Sequence, residues 1–521
     1  MRFSGDRRLK VATIGSMCLA MFMVLLDNTV VNVALPSISE DVGSSVSGLQ
    51  WIVNAYTLLF ASLMLTAGTL GDLYGRKRVV LGGLGLFTLA SVLCGLAPSV
   101  ELLVAARALQ GVGAAALLPT TLAIITATFP DRRERAQAIG IWAGVSALAL
   151  AAGPVVGGVL VDSLGWQSIF FVNLPVGVAA YAVARRVVRG DGGRRPAGSG
   201  RRVDLPGQLL AVAALGSVTF ALIEGPGRGW GSPLIAGLLA VAAVAGAAFL
   251  AVERRSPDPM LPLRLFRDRT FSAAVAVAGL AFFGVLSMLF FLSLFFQNVQ
   301  GYSALETGLR FLPLEGAIVV VAPLAGRVAG RVGSRWLMAA GMGMAGAALL
   351  LLVRLQPGTE YAGVWWNLTL LGVGMGITMA PATAAIMGSV ESGRAGVASA
   401  VSNTSRQVGA VFGIAVLGAV LASHTRALAD AALAGLGVAE PARARLVTGS
   451  AEGLVAGGAD LGGVDVEAVR QAVEAAYVSG LHRVLLLAGL ALLVASALSA
   501  AFVRGAPAGT ASRPPEVVAA A

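Results

Sequence analysis

Gly68-Thr69-Leu70-Gly71-Asp72-Leu73-Tyr74-Gly75-Arg76-Lys77-Arg78 is a charged, glycine-punctuated stretch set between two long apolar runs, residues 49–70 and 79–97. As a helix, each run is long enough to cross about 30 Å of hydrocarbon, which leaves the chain only a few residues in which to reverse direction. Gly68 and Gly75 let the helix ends approach closely, Asp72 suits a helix N-terminus, and Arg76, Lys77 and Arg78 hold the hairpin on the cytoplasmic side of a membrane.

Composition leads to the same class. Of 521 residues, 57% are hydrophobic and only 12% charged, too few polar side chains to cover a water-soluble globule. Mean hydropathy is +0.82. The net charge of +11 lies in short loops between apolar runs, as the positive-inside rule requires, and not along one face of a folded domain, so nucleic acid is not an expected partner. Cys18 and Cys94 fall inside apolar runs and read as small apolar side chains, not as a disulfide pair.

The apolar runs predict an all-α integral membrane protein of about fourteen transmembrane helices, with both termini cytoplasmic. The first run follows Arg2, Arg7, Arg8 and Lys10 like a secretory signal, but its length and the lack of a small-residue cleavage site favour a retained span. Residues 1–185 are expected to form a first six-helix bundle and 186–204 a cytoplasmic linker. Two inserted helices at 205–252, packed at the periphery, precede a second linker at 253–269. Residues 270–503 are expected to form a second six-helix bundle and 504–521 a cytoplasmic tail. Within the second bundle the Ala- and Gly-rich outer segment 423–480 predicts a flap or loop with one amphipathic helix near 464–477 and too little apolar bulk for its own core.

Internal repetition supports duplicated bundles. The Gly68/Gly75 spacing returns at Gly326/Gly333, with Gly330 where the first copy has Asp72. Gly111 and Gly113 before Pro119 are echoed by Gly372 and Gly374 before Pro381.

The hairpin resembles the signature between helices 2 and 3 of the major facilitator superfamily. Leu26-Asp27-Asn28-Thr29-Val30-Val31-Asn32-Val33-Ala34-Leu35-Pro36 resembles the first-helix signature of its fourteen-helix drug:proton antiporter branch, and Arg107-Ala108-Leu109-Gln110-Gly111-Val112-Gly113 its fourth-helix motif. Gly153-Pro154-Val155-Val156-Gly157-Gly158 is similar to the fifth-helix antiporter motif, followed by Gly165-Trp166 and Phe171-Val172-Asn173-Leu174-Pro175. The chain departs from the pattern at Gln167-Ser168, where the branch commonly has Arg-Trp, and at Ala149, where the antiporter motif often begins with Gly. The resemblance implies a secondary active transporter of the bacterial cytoplasmic membrane that works by alternating access, with no cofactor, driven by a proton gradient. It would exchange protons for small amphipathic or drug-like molecules and function as a monomer in the lipid bilayer. Multidrug efflux and antibiotic resistance are the implied roles; dedicated export of one natural product or lipid is the alternative, and an integral-membrane enzyme or a channel the remote one.

Site residues follow from charge and depth. Asp27 and Arg107 each lie about 9 to 14 Å from the same end of their helices at 1.5 Å per residue, so the two share a layer and are the candidates for proton coupling. Asn28, Asn32, Gln110, Glu315, Asn403 and Arg406 are the substrate-cavity candidates; Glu315 is near the middle of its span and Arg406 in the inner half of its own. Gly68, Asp72, Gly75, Arg76, Lys77 and Arg78 form a candidate cytoplasmic gate, and Gly153, Pro154, Gly157 and Gly158 a bendable helix at the interface between the bundles. Enzymatic readings find little support. Gly341-Met342-Gly343-Met344-Ala345-Gly346 matches a dinucleotide fingerprint but sits in an apolar span with no preceding strand, and neither Lys10 nor Lys77 is followed by the Ser or Thr of a Walker A loop. His424 and His482 are isolated and form no metal motif.

Overall fold

A computed structural model describes residues 2–190, 204–391, 394–440, 442–450 and 464–504. Fourteen helices among the described residues are long and apolar enough to cross a membrane. Most of the expected linker 186–204, most of the tail 504–521 and part of the outer segment 423–480 lie outside the described residues.

The first bundle comprises α1 (Arg2–Val42), α2 (Val46–Tyr74), α3 (Arg76–Gly95), α4 (Val100–Thr128), α5 (Arg132–Leu164), and one span made by the short α6 (Ser168–Phe171) with α7 (Asn173–Val187). Local chemistry sets the ends. Ser45, Ser99 and Asp131 accept hydrogen bonds from backbone N–H groups in the first turns of α2, α4 and α5, while Gly75 and Gly165 end α2 and α5 at φ 96° and 84°. The inserted pair is α8 (Leu205–Arg228) and α9 (Pro233–Arg255).

The second bundle begins with α10 (Arg269–Leu294) and a π-helical turn at Phe295–Val299. The next span is broken into α11 (Ala304–Arg310) and α12 (Leu312–Val332), because Pro313 at the start of α12 has no N–H to continue the ladder. Then come α13 (Ser334–Leu351), α14 (Trp365–Gly388), α15 (Ala395–Gly435), the short α16 (Ala442–Ser450) and α17 (Val466–Phe502).

The repeat seen in the sequence is a repeat of packing. Gly75 and Gly333 cap their helices alike, at φ 96° and 84°, each donating its N–H to a carbonyl four residues back. A Cβ at Gly111 would strike the Tyr56 carbonyl of α2, and one at Gly372 would strike the Leu314 carbonyl of α12. Likewise Gly113 lies against Phe87 of α3 and Gly374 against Gly341 and Ala345 of α13. In each bundle one glycine-faced helix is thus clamped between the two that precede it. The Gly341–Gly346 stretch belongs to this packing: Gly341 meets α14 and Gly346 meets Gly489 of α17.

Two expectations are corrected. Among its described residues the outer segment is mostly a continuation of its flanking helices: α15 runs unbroken to Gly435, and the amphipathic helix expected near 464–477 is the first part of α17. The segment also has a small core of its own, in which Leu433, Val438, Leu446 and Val469 are buried together, with Arg443 bridging Asp430 at 3.1 Å and Glu440 at 2.9 Å. Alanine supplies the helix propensity there, and four apolar side chains suffice to fold α16 back. The inserted helices also differ from each other. α9 touches α8 and leaves most of its surface exposed, whereas α8 packs against both α2 and α15, bridging the two bundles. Trp51 Nε1 donates to Glu224 Oε1 at 3.1 Å, Gln208 Nε2 donates to the Ser62 carbonyl at 3.0 Å, and Gly227 faces Arg426 of α15.

Candidate functional site

At the centre of the first bundle lies a polar network sealed from solvent. Arg107 and Asp27 are both fully buried side chains, and Arg107 Nη1 lies 2.5 Å from Asp27 Oδ2. The other carboxylate oxygen, Oδ1, accepts from Gln110 Nε2 at 2.8 Å and from Asn173 Nδ2 at 3.0 Å. Arg107 also donates to Gln110 Oε1 at 2.7 Å and, through Nε, to the Ile52 carbonyl at 3.1 Å. Its guanidinium lies over the Tyr56 ring, 4.3 Å from the centroid. Ser91 Oγ accepts from both amides, at 2.9 Å from Gln110 and 3.3 Å from Asn173, and donates to the Phe87 carbonyl.

Every group aimed at Asp27 is a donor. The Gln110 amide is oriented by Arg107, which takes its oxygen and leaves its NH2 for Asp27. The arrangement therefore suits an ionised carboxylate and has no acceptor for a carboxylic O–H. Two charges removed from water cost several kcal/mol each, and only such dense donor geometry offsets that.

Sequence depth brought Asp27 and Arg107 to one layer but left Ser91, Cys94 and Asn173 unassigned. The available signal was the i, i+3 pair Ser91/Cys94 in an otherwise apolar span, and Asn173 at the break between α6 and α7. Cys94 Sγ lies 3.6 Å from Gln110 Oε1.

The cavity candidates divide. Gln110 does not line a cavity: it is fully buried inside the first bundle, held by Asp27 and Ser91. Asn28 and Asn32 are also buried, and Asn32 meets the second bundle through its backbone carbonyl, which accepts from Ser293 Oγ at 2.9 Å. Glu315 sits in the first turn of α12, near the middle of the broken span Ala304–Val332 as expected, and its buried carboxylate has no hydrogen-bond or ion-pair partner among the described residues. Arg406 is half-buried in α15, donating to Thr383 of α14 at 3.1 Å and facing the Phe282 ring of α10. Asn403 donates to the Ser399 carbonyl of its own helix at 3.0 Å.

The hairpin lies at the end of the molecule where α1 enters its span, with Lys10 and Arg76 lining one cavity. Asp72 occupies the last turn of α2, not a helix N-terminus, and pairs with Arg76 at 3.2 Å; both are partly exposed. Arg76 also donates to the Ala123 carbonyl of α4 at 3.2 Å, Lys77 donates to the Arg185 carbonyl of α7 at 2.7 Å, and Arg78 is exposed. Gly68 lies in ordinary contact with Pro119, and Gly75 supplies the positive φ of the turn.

At the far end the bundles meet tightly. Of the glycines expected at the interface, two pack inside the first bundle instead: a Cβ at Gly153 would collide with Thr29, and one at Gly157 would come within 2.7 Å of Val30 and Val33, all in α1. Gly158 faces the second bundle, where a Cβ would lie 2.5 Å from Leu305 Cα, and Gly308 presses in turn on the Pro154 carbonyl. Asp162 Oδ2 accepts from Ser303 Oγ at 2.7 Å and from Leu305 N at 3.1 Å. Gly418 of α15 closes on Gln50 of α2. Toward the hairpin end a side chain added at Gly140 or Gly144 of α5, or at Gly330 of α12, would meet nothing within 4 Å.

Two six-helix bundles held tightly together at one end, with a sealed acid–base pair in the first, define a polytopic membrane transporter. Residues 17–414 match the Major Facilitator Superfamily, and the chain belongs to that family; it is a transporter and not an enzyme. It is similar to the multidrug resistance protein Stp of Mycobacterium tuberculosis (strain CDC 1551 / Oshkosh), 43% identical over 416 residues that cover 80% of this chain and 76% of the relative. It is 35% identical over 504 residues to the tetracenomycin C resistance and export protein of Streptomyces glaucescens, covering 95% of this chain and 92% of the relative. It is 38% identical over 401 residues to the methylenomycin A resistance protein of Streptomyces coelicolor, covering 77% and 83%. A solved bacterial homolog of the human lysosomal transporter Spinster has the same fold, with a TM-score of 0.61 at 20% identity, over 93% of this chain and 95% of that one.

Proposed function

We propose that this transporter exports amphipathic, drug-like compounds across the bacterial cytoplasmic membrane in exchange for protons, with both termini in the cytoplasm. In that orientation the hairpin end faces the cytoplasm, where such a compound enters, and the seam of Gly158 and Asp162 closes the outer side. The observation that carries the reading is the desolvated Asp27–Arg107 pair, whose carboxylate meets donors alone. Proton loading of Asp27 then requires the network to open, which links protonation to the opposite, outward-open state. The names of the relatives support export of antibiotics and drugs.

The test is proton release from purified protein in detergent on addition of a lipophilic cation, alongside proton-driven counterflow in proteoliposomes. Wild type is expected to show both and Asp27→Asn neither. Wild-type release from Asp27→Asn overturns the assignment and moves it to Glu315. A second reading, dedicated export of one natural product, is favoured by the near full-length similarity to the tetracenomycin C resistance and export protein. A substrate panel in a strain lacking its own efflux pumps separates the two, since a dedicated exporter protects against one scaffold alone.

A further inference from the structure

The seam where α8 covers α2 and α15 holds buried polar atoms that no described residue pairs. Asn54 of α2 is 0% exposed, and neither its Nδ2 nor its Oδ1 has a hydrogen-bond partner. Gln50 Oε1 and Ser62 Oγ of the same helix and Thr219 Oγ1 of α8 are also buried without one. An unsatisfied buried group is destabilising, and native interiors satisfy nearly all of them through protein or ordered water.

These atoms share one place. Gln50 faces Gly418 of α15, and Trp51 donates to Glu224 of α8. Asn54 follows the first by four residues and the second by three, so it points into the angle between α15 and α8. Thr219 is fully buried on a helix that otherwise shows most of its surface. It stands eleven residues, about three turns, from Gln208, which bonds to α2 and so marks the same face. The antiparallel contacts Trp51–Glu224 and Ser62–Gln208 bracket the two residues and set Thr219 within about one turn of Asn54. Away from the hairpin the same three helices enclose a cavity of about 30 Å³, lined by Gln50, Glu224, Gly418 and the exposed Gly227. Toward the hairpin the seam satisfies itself: Thr66 donates to Gln208 Oε1, and Gln208 Nε2 to the Ser62 carbonyl. The unpaired row is therefore blind at its inner end.

We propose that this seam binds a file of water molecules that enters beside Glu224 and Gly227 and ends between Asn54 and Ser62. Water suits these groups, since a carboxamide and a hydroxyl each give and accept hydrogen bonds. The cavity at the mouth has room for about two waters and is far too small for a drug-like compound. Ile52, whose carbonyl accepts from Arg107, precedes Asn54 by two residues, so the file reaches the depth of the Asp27–Arg107 pair. In the orientation proposed above, the outer solution has a route to that layer that cargo does not share. The binding claim does not depend on the proton coupling proposed above.

Silver ion, which is close to water in size and replaces a thiol proton, tests the file in the full-length protein in nanodiscs, with reacted thiols resolved by peptide mass spectrometry. Asn54→Cys and Thr219→Cys are expected to react at least about tenfold faster than native Cys94, which is buried in the first bundle, and to resist a bulky charged methanethiosulfonate. Reaction with silver no faster than that of Cys94 overturns the proposal. Equal reaction with both reagents also overturns it, because it would mean a wide cleft. Thermal unfolding gives a second arm without cysteine. Asn54→Leu would relieve a dry, unpaired amide and stabilise the protein, whereas beside bound water it removes a hydrogen-bond partner and destabilises it. A lowered melting temperature is expected, and an unchanged or raised one overturns the proposal.

Discussion

Asp162 of the first bundle caps a helix of the second: its carboxylate accepts the backbone N–H of Leu305 at 3.1 Å in the first turn of α11, beside the Ser303 hydroxyl at 2.7 Å. A cap that crosses the interface acts on a conformational equilibrium, because it exists only while the far end is closed. Asp162→Ala should cost the closed far end about 1 to 2 kcal/mol, the usual value of a lost cap, and so shift the two states by roughly 5- to 30-fold. Spin labels at Ser163 and Leu309 would report this as growth of a longer-distance population. Gly158→Leu should act in the same direction by steric force, and an unchanged distance distribution in both variants would dismiss the seam as a gate.

Arg107→Leu leaves the Asp27 carboxylate buried without its countercharge and should destabilise the protein by about 3 to 5 kcal/mol. Asp27→Leu should cost less, since Arg107 keeps Gln110, the Ile52 carbonyl and the Tyr56 ring. The double variant should be more stable than Arg107→Leu alone. Additive losses in chemical denaturation of the purified proteins would show that the pair is not coupled.

Loss of the hairpin acid should change populations more than stability. Asp72 is exposed and its ion pair is short-range, so Asp72→Asn should alter unfolding by less than about 1 kcal/mol. Transport should nevertheless fall, and cysteine probes in the cleft near Asn403 should label faster from the cytoplasmic side. Unchanged transport and labelling together would mean that the hairpin is only a connection.

Glu315 has no charged partner among the described residues, and an ionised carboxylate in that setting gains from a cationic ligand. Glu315→Gln should weaken export of lipophilic cations about tenfold or more, the loss of one desolvated charge contact, while sparing neutral compounds. Parallel loss for both classes in an efflux assay would point to a structural role.

What could be read in the sequence depended on whether the feature was a matter of depth or of rotation. The rise of a helix is fixed, so counting residues from Pro36 and from Glu101 brought Asp27 and Arg107 to the same layer, and they meet. The direction a side chain faces depends on packing against neighbours. Gln110, three residues from Arg107, therefore belonged equally well to a cavity wall or to the interior, and the structure puts it inside. The same indeterminacy hid Ser91 and Asn173, whose polar atoms are oriented by α3 and α7. Helix ends marked by Gly75 and Gly333 were legible because positive φ favours glycine. The outer segment was not, because its folding rests on the four apolar residues from Leu433 to Val469 meeting across α16, a contact that no local pattern announces.

The bridging helix α8 has mechanical consequences. Its grip on α2 is made by directed polar bonds, from Gln208 to the Ser62 carbonyl and from Trp51 to Glu224, while on α15 Gly227 presents no side chain. Any rotation of one bundle against the other has to break or carry along one of these two faces of α8, so a helix that belongs to neither bundle bears on how they move.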